Sequence, residues 1–267
     1  NHTTFGFIVP FLRIRYKVIS TARGIIPKKD LTIIEKIGVG ISKYLFFNFS
    51  NEIISVSEPH IQEFKKYTNK KIKYIPNGIH LLKNNSNNTK KEDFILFAAG
   101  RIISLKGAHI LLEALNSMNY KGKIVFIGNM DYTPKYKDKI LSMSKDRDIT
   151  FIGLIKEKEK LFNYIKKAKL FVFPSFNEGM SNMLLEVASL KTPLICSDIP
   201  ENKAIFDDSE VLYFKTGNSQ DLSDKIKWAN SNFLLMNEKS DKAYNKLIVK
   251  YNWQDIAKKY SNIYDAY

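Results

Sequence analysis

Short apolar runs alternate with stretches of helical period along this chain. "KVIST" and "EIISVS" read as strands, and between them Leu31–Phe49 carries apolar residues at the spacing of a helix with one buried face. "KIKYIPNGI" then leads into the polar, Asn-rich "KNNSNNTKKED", the clearest linker in the chain. Beyond it the pattern is more regular. "FILFAAGR" (Phe94 to Arg101) predicts a strand and "GAHILLEALNSM" a helix; "KIVFIGNM" predicts a strand and Lys135–Lys145 a helix. "ITFIGL" and "LFVFPS" are strands on either side of a helical Glu157–Ala168, and "PLICSD" and "VLYF" follow. The last stretch, "YNWQDIAKKYSNIYDAY", has helical period with aromatics at Trp253, Tyr260 and Tyr264.

Continuous apolar strands alternating with helices predict βαβ units and a parallel sheet covered on both faces. The fold class is therefore α/β, with a smaller α/β region ahead of a larger one. At 267 residues the chain holds one large or two ordinary domains. The longest apolar runs are too short to span a bilayer, and a single cysteine, Cys196, excludes an internal disulfide and fits a reducing compartment.

A net charge of +15 suits nucleic acid, an acidic membrane surface or a phosphorylated ligand. It equally suits lysines dispersed over solvated faces. No run of five basic residues, no RNA-binding signature and no paired-cysteine zinc spacing is present, so nucleic acid is not expected as a partner. No Gly-X-Gly-X-X-Gly follows a strand, which argues against a dinucleotide oxidoreductase.

Ligands of open parallel sheets bind beyond the carboxyl ends of the strands, so chemistry is expected at the strand-to-helix turns. In "AAGRIISLKGAHI", Arg101 ends a strand and Lys106-Gly107 opens a helix. Cations beside a helix N-terminus make an anion site; the alternative is two solvated cations. In "LFVFPSFNEGMSNMLLEVASL", Glu178 precedes a helix and Glu186 lies inside it. Gly179 permits close backbone approach, and the N–H groups of Met180, Ser181 and Asn182 are expected at the helix N-terminus. A carboxylate accepts two hydroxyl hydrogen bonds at once, as a vicinal diol requires. The alternative is a Ser181 cap and a solvated Glu186, but Leu184, Leu185 and Val187 place Glu186 beside a buried face.

"PSFNEGMSNMLLEVASLKTPLICSDIPEN" resembles the donor-site motif of the retaining glycosyltransferases of family 4, which have two Rossmann-like domains (the GT-B architecture). "YIPNGI", "AAGRIISLKGAHILLEAL", "FIGLIKEKEKLFNYIKKAKLFVFPS" and "YNWQDIAKKYSNIY" resemble further family segments in the same order, so the likeness spans nearly the whole chain. It implies a partial acceptor-side Rossmann-like domain over 1–83 and a linker over 84–92. It also implies a complete nucleotide-sugar-binding Rossmann-like domain over 93–250 and a terminal helix over 251–267 that packs back toward the first domain. The family's glycine-rich first strand and turn have no counterpart, and "NHTTFGFIVPF" resembles the middle of the first domain, so the chain is expected to lack that domain's first half.

The resemblance also implies roles. Arg101 and Lys106 hold the donor diphosphate, Glu186 grips the ribose hydroxyls and Glu178 contacts the transferred sugar; Arg101, Lys106 and Glu178 are the catalytic candidates. Gly179, Met180, Ser181 and Asn182 meet phosphate and sugar, Gly153, Ile155 and Lys156 lie against the base, and Gly128 lines the second turn. That turn is often Gly-X-Gly in the family but is Gly128-Asn129-Met130 here. In "STARG", Arg23 stands where many members carry histidine, and His2 resembles a histidine on the acceptor side. No Asp-X-Asp pair marks a metal-bound diphosphate, so no metal or other cofactor is expected and Arg101 and Lys106 replace it.

The implied activity is transfer of a sugar from a nucleotide-diphosphate sugar to a glycan or lipid-linked acceptor with retention, in surface polysaccharide or glycolipid assembly. The implied location is the cytoplasm, with a peripheral place at the inner membrane face open. Two alternatives stand beside it: a basic membrane-surface or nucleotide-sugar-binding module without transfer activity, and a nucleotide-sugar epimerase of the same architecture. His109 is expected to be a structural helix residue.

Overall fold

The computed structural model describes residues 2–25, 32–80 and 90–266, with side chains from Gly6 onward. It divides into two units, each with its own parallel sheet. Unit 1 comprises Asn1–Gly78, Glu178–Met180 and Trp253–Tyr267. Its elements run α1 (His2–Arg13), β1 (Ile19–Ala22), α2 (Ile33–Phe49), β2 (Glu52–Ser55), α3 (His60–Phe64) and β3 (Ile72–Tyr74), and the strands pair in the order β1-β2-β3. Thr32 and Glu35 form a reciprocal capping box that starts α2; Leu31, where the sequence pattern begins, lies outside the described residues.

Side chains alternate across a strand, so neighbouring residues of β2 serve opposite faces. Ile53 packs with Phe47, Phe64 and Ile72. Ile54 packs on the other face with Ile75, Ile256 and Ile263. The last two belong to the C-terminal helix Trp253–Tyr264, which thereby covers the second face of this sheet.

Unit 2 comprises Ile79–Asn177 and Ser181–Asn252. Of the segment 84–92 expected to be a linker, 84–89 lie outside the described residues. β4 (Glu92–Arg101), a 3-10 turn (Ser104–Lys106), α4 (Ala108–Ser117), β5 (Lys123–Asn129), α5 (Pro134–Met143), β6 (Ile149–Gly153) and α6 (Lys158–Lys167) come first. β7 (Ala168–Phe173), α7 (Asn182–Ser189), β8 (Leu194–Ser197), α8 (Pro200–Lys203), β9 (Leu212–Phe214), α9 (Ser219–Ser231) and α10 (Phe233–Lys250) follow, and the C-terminal helix is α11. The six strands pair in the order β6-β5-β4-β7-β8-β9. This is the doubly wound arrangement, in which the order reverses between the first strand and the fourth. Phe97, Phe126 and Ile195 anchor its core, with Leu111, Leu112 and Leu115 of α4 against the sheet.

No helix among the described residues is long and apolar enough to cross a membrane.

Candidate functional site

The strand order reverses between adjacent β4 and β7, and open parallel sheets bind ligands beyond the carboxyl ends of the strands at such a point. The turns that follow these two strands are bound to each other. The Phe176 N–H, after β7, donates to the Leu105 carbonyl of the 3-10 turn at 2.9 Å. Gly107 has φ +71°, and a Cβ there would lie 1.9 Å from the Pro174 carbonyl oxygen. Only glycine allows that backbone conformation and that approach together.

This junction sets the two cations. Arg101 ends β4, exposed, with its guanidinium 5.3 Å from the centroid of the Tyr132 ring. Lys106 ends the 3-10 turn, half-buried. The sequence pattern has Lys106-Gly107 opening the helix; in the structure the left-handed Gly107 separates the 3-10 turn from α4, which starts at Ala108.

Gly128 is buried at the end of β5 with φ +149°, and its missing Cβ is replaced by the Ala99 carbonyl oxygen, 2.1 Å from the Cβ position. Packing against β4 accounts for this glycine without a ligand. Met130, which departs from the family pattern, turns its side chain to the core. Gly153 closes β6 at φ +78° with open space around its Cβ position. Half-buried Ile155 and exposed Lys156 follow on the loop to α6.

Ser181 caps α7, its Oγ accepting the Leu184 N–H at 3.4 Å. The helix therefore begins at exposed Asn182, and Met180 lies outside it, which corrects the expectation that all three N–H groups from Met180 to Asn182 open the helix. Glu186 lies in the second turn of α7 and is 9% exposed. Burial raises its pKa above the ordinary 4.5, and the Lys158 ammonium, 3.4 Å away at the start of α6, opposes the rise. Lys158 was not among the residues singled out from the sequence; a lysine in a run of alternating Lys and Glu carries no local mark.

Glu178, Gly179 and Met180 group with unit 1, so the motif read as one segment divides. A Cβ on Gly179 would lie 1.7 Å from the Arg23 carbonyl oxygen. The Asn77 amide donates from Nδ2 to the Met180 carbonyl at 3.1 Å, and its backbone N–H donates to the Met180 Sδ at 3.0 Å. Exposed Arg23 lines a groove of about 530 Å³ with Thr21, Asn77, Trp253, Tyr260 and Tyr264, all of unit 1. The aromatics of α11 were visible in the sequence as helix residues, but nothing local tied them to Arg23. His2 lies at the start of α1, and its side chain is outside the described residues.

The Asp-X-Asp sequence in unit 2, Asp146-Arg147-Asp148, immediately precedes β6 and so stands at the amino end of that strand, opposite the carboxyl-end turns that carry Arg101 and Lys106. Among the described residues no group of three or more His, Cys, Asp or Glu is placed to hold a metal ion.

Residues 82–246 match the family described as Glycosyl transferases group 1. The chain is 29% identical over 185 residues to the capsular polysaccharide biosynthesis glycosyltransferase CapH of Staphylococcus aureus, covering 67% of this chain and 51% of CapH. It is 26% identical over 180 residues to the N,N'-diacetylbacillosaminyl-diphospho-undecaprenol alpha-1,3-N-acetylgalactosaminyltransferase of Campylobacter jejuni, covering 67% of this chain and 46% of that protein. The chain spans about half the length of the curated relatives it matches. Among solved structures it superposes on Anabaena HepE in complex with UDP and glucose with a TM-score of 0.85 at 13% identity, covering 99% of this chain and 76% of HepE, a likeness of fold.

Proposed function

We propose a function from one premise: the chain belongs to the glycosyl transferases group 1 family. Its fold is of the GT-B type, α/β with parallel sheets of three and six strands. On this reading the protein moves a sugar from a nucleotide-diphosphate sugar to a glycan or lipid-linked acceptor, with retention of configuration, in surface polysaccharide or O-antigen assembly. The observation that carries it is the junction beyond β4 and β7, where the turn bearing Arg101 and Lys106 is tied to the turn that leads into the Glu186 helix. Capsule synthesis by CapH and a diphospho-undecaprenol acceptor for the Campylobacter enzyme support the acceptor class.

The roles follow from charge and position. Arg101 and Lys106 neutralise the diphosphate, Glu186 holds the ribose diol, and Glu178 contacts the transferred sugar. The backbone from Gly179 to Asn182 meets sugar and phosphate, and the loop from Gly153 to Lys156 lies against the base. As the bond between the sugar's anomeric carbon and the diphosphate oxygen breaks, both cations stabilise the charge growing on that oxygen. The acceptor hydroxyl forms the new bond on the same face, and its proton passes to the departing phosphate. No enzymic base and no metal are needed in this scheme.

The test is calorimetry with UDP, GDP and dTDP sugars, followed by transfer to a lipid-linked diphosphate sugar and NMR of the product's anomeric configuration. An α-linked product from an α-linked donor supports retention. Absence of binding by all three donors overturns the proposal. Arg101→Ala and Lys106→Ala are each expected to weaken diphosphate binding about tenfold, the scale of one charge-assisted hydrogen bond, and to leave nucleoside binding nearly unchanged. Chelator is expected to leave donor affinity as it was; loss in chelator that magnesium or manganese restores would return the phosphates to a metal.

Unit 1 favours a second contact, with an anionic membrane surface at the cytoplasmic face. Phe11 and Ile14 by α1 are 74% and 79% exposed, and Ile33 and Ile34 of α2 are 76% and 82% exposed. Arg13, Arg15 and Lys36 lie among them in the sequence. Apolar side chains beside cations suit an interfacial helix. Flotation with anionic and with neutral vesicles checks this: equal recovery from both, or none from either, removes the contact.

A further inference from the structure

His109 reads as an ordinary residue of a helix's first turn, yet its imidazole is held by two aromatic residues. Its ring stacks on Phe176, with centroids 5.8 Å apart and planes 12° from parallel. Nδ1 lies 2.8 Å from the Tyr136 hydroxyl oxygen of α5, which also accepts the His109 backbone N–H at 3.2 Å. Phe176 in turn meets three carboxyl-end turns. It belongs to the one after β7, its N–H binds the Leu105 carbonyl after β4, and its ring lies 3.0 Å from the Cβ position of Gly217 after β9.

We propose that His109 is a positioning residue for donor binding: as neutral imidazole, locked by Tyr136, it holds Phe176 and with it the turn that enters the α7 donor motif. This rests on the donor-site reading above and names a residue that the reading did not use. In this arrangement the Tyr136 oxygen accepts the backbone N–H and the phenol gives its proton to Nδ1, with the ring proton on Nε2. Burial keeps Tyr136 protonated, its pKa pushed up to about 12. Burial also lowers the His109 pKa below 6.5, and Lys139 of α5 adds to this while Glu113 of α4 opposes it. Lys139 and Glu113 are 4.0 Å apart. Protonation of Nδ1 would displace the phenol proton from its acceptor and loosen the lock. The sign is fixed: a base whose folded pKa is depressed contributes stability that is present above 6.5 and lost as pH falls through the folded value.

The experiment measures affinity for UDP-, GDP- and dTDP-glucose at pH 8 and pH 5.5, with the tightest carried forward, on wild type, His109→Ala and His109→Phe. A sugar nucleotide is used because its pyrophosphate diester has no proton to gain in that range. His109→Ala loses the stack and is expected to bind roughly threefold to tenfold more weakly at pH 8, the scale of an aromatic pair. His109→Phe keeps the stack but has neither the Tyr136 bond nor a titrating group, so it is expected to fall between wild type and His109→Ala at pH 8 and to lose less affinity than wild type at pH 5.5. If His109→Ala does not fold, the pH comparison with His109→Phe decides alone. Equal acid sensitivity of wild type and His109→Phe, or wild-type affinity in His109→Ala, overturns the positioning role while leaving the donor site standing. Failure of wild type to bind any of the three overturns the donor-site reading itself.

Discussion

Replacing Glu186 is expected to move stability and binding in opposite directions. Burial in α7 raises its pKa above 4.5, and exposed Lys158 offsets this only in part because water screens the ammonium. A carboxyl whose folded pKa lies above its unfolded value contributes stability below the unfolded pKa and loses it as pH rises through the folded one. At pH 7 the ionised side chain is therefore a cost to the unliganded protein. Glu186→Gln should raise Tm at pH 7, and the difference from wild type should vanish on acidification below 4.5, where both side chains are neutral. Binding should suffer, since the carboxylate is the group proposed to accept from both ribose hydroxyls. A hydrogen bond to a charged group contributes about 1.5–3 kcal/mol, so Glu186→Ala should weaken nucleotide diphosphate binding by roughly tenfold to a hundredfold. Unchanged calorimetric affinity in folded Glu186→Ala would take the carboxylate out of the site. A site that holds a destabilising charge for use in binding is a familiar exchange of stability for function.

The second large effect is on stability and concerns a matched pair of glycines. Gly107 and Gly153 both have positive φ, +71° and +78°. Gly153 has open space at its Cβ position, whereas Gly107 meets the Pro174 carbonyl. Gly153→Ala should lose only the conformational term, about 1–2 kcal/mol. Gly107→Ala adds a contact that backbone must move to relieve, so a loss of about 3–4 kcal/mol is expected. For a unit of this size that separates a Tm drop of about 2–8 °C from one of about 6–16 °C. Because the Gly107 contact ties the turns after β4 and β7, the same variant should also weaken donor binding. Equal Tm values for the two variants would show that the junction yields at no cost.

The alternation of strands and helices in the larger unit was legible because each strand is a continuous apolar run bounded by turn residues, as in Phe94–Ala99 and Leu170–Phe173. α9 and α10 went unread as separate helices, although their buried residues Leu222, Ile226 and Ala229, then Met236, Ser240, Ala243 and Leu247, repeat at helical spacing. Lysine, aspartate and asparagine between them kept the apolar stripe thin. The capping serine at 181 was read as the alternative to a ligand-facing N–H, and the structure shows it capping, because an unpaired N–H at a helix start takes the nearest hydroxyl.

By itself the sequence determined the strands β1, β2 and β4 to β9 with the helices α2, α4 to α7 and α11, the turns at which chemistry is sought, and the presence there of Arg101, Lys106, Glu178 and Glu186. Each of these is local: side-chain period sets helix or strand, and Gly or Pro sets the turn. The tertiary structure alone decided that β4 lies beside β7, that Gly107 and Gly128 are required by the carbonyls of Pro174 and Ala99, and that Lys158 faces Glu186. It also decided that Phe176 is gripped by His109, and that Glu178–Met180 group with unit 1 while Glu186 stays in unit 2. These are contacts between residues far apart in the chain. They depend on which crossover each helix makes over the sheet and on which backbone fills the space a missing side chain leaves, and neither leaves a mark in any local window of sequence.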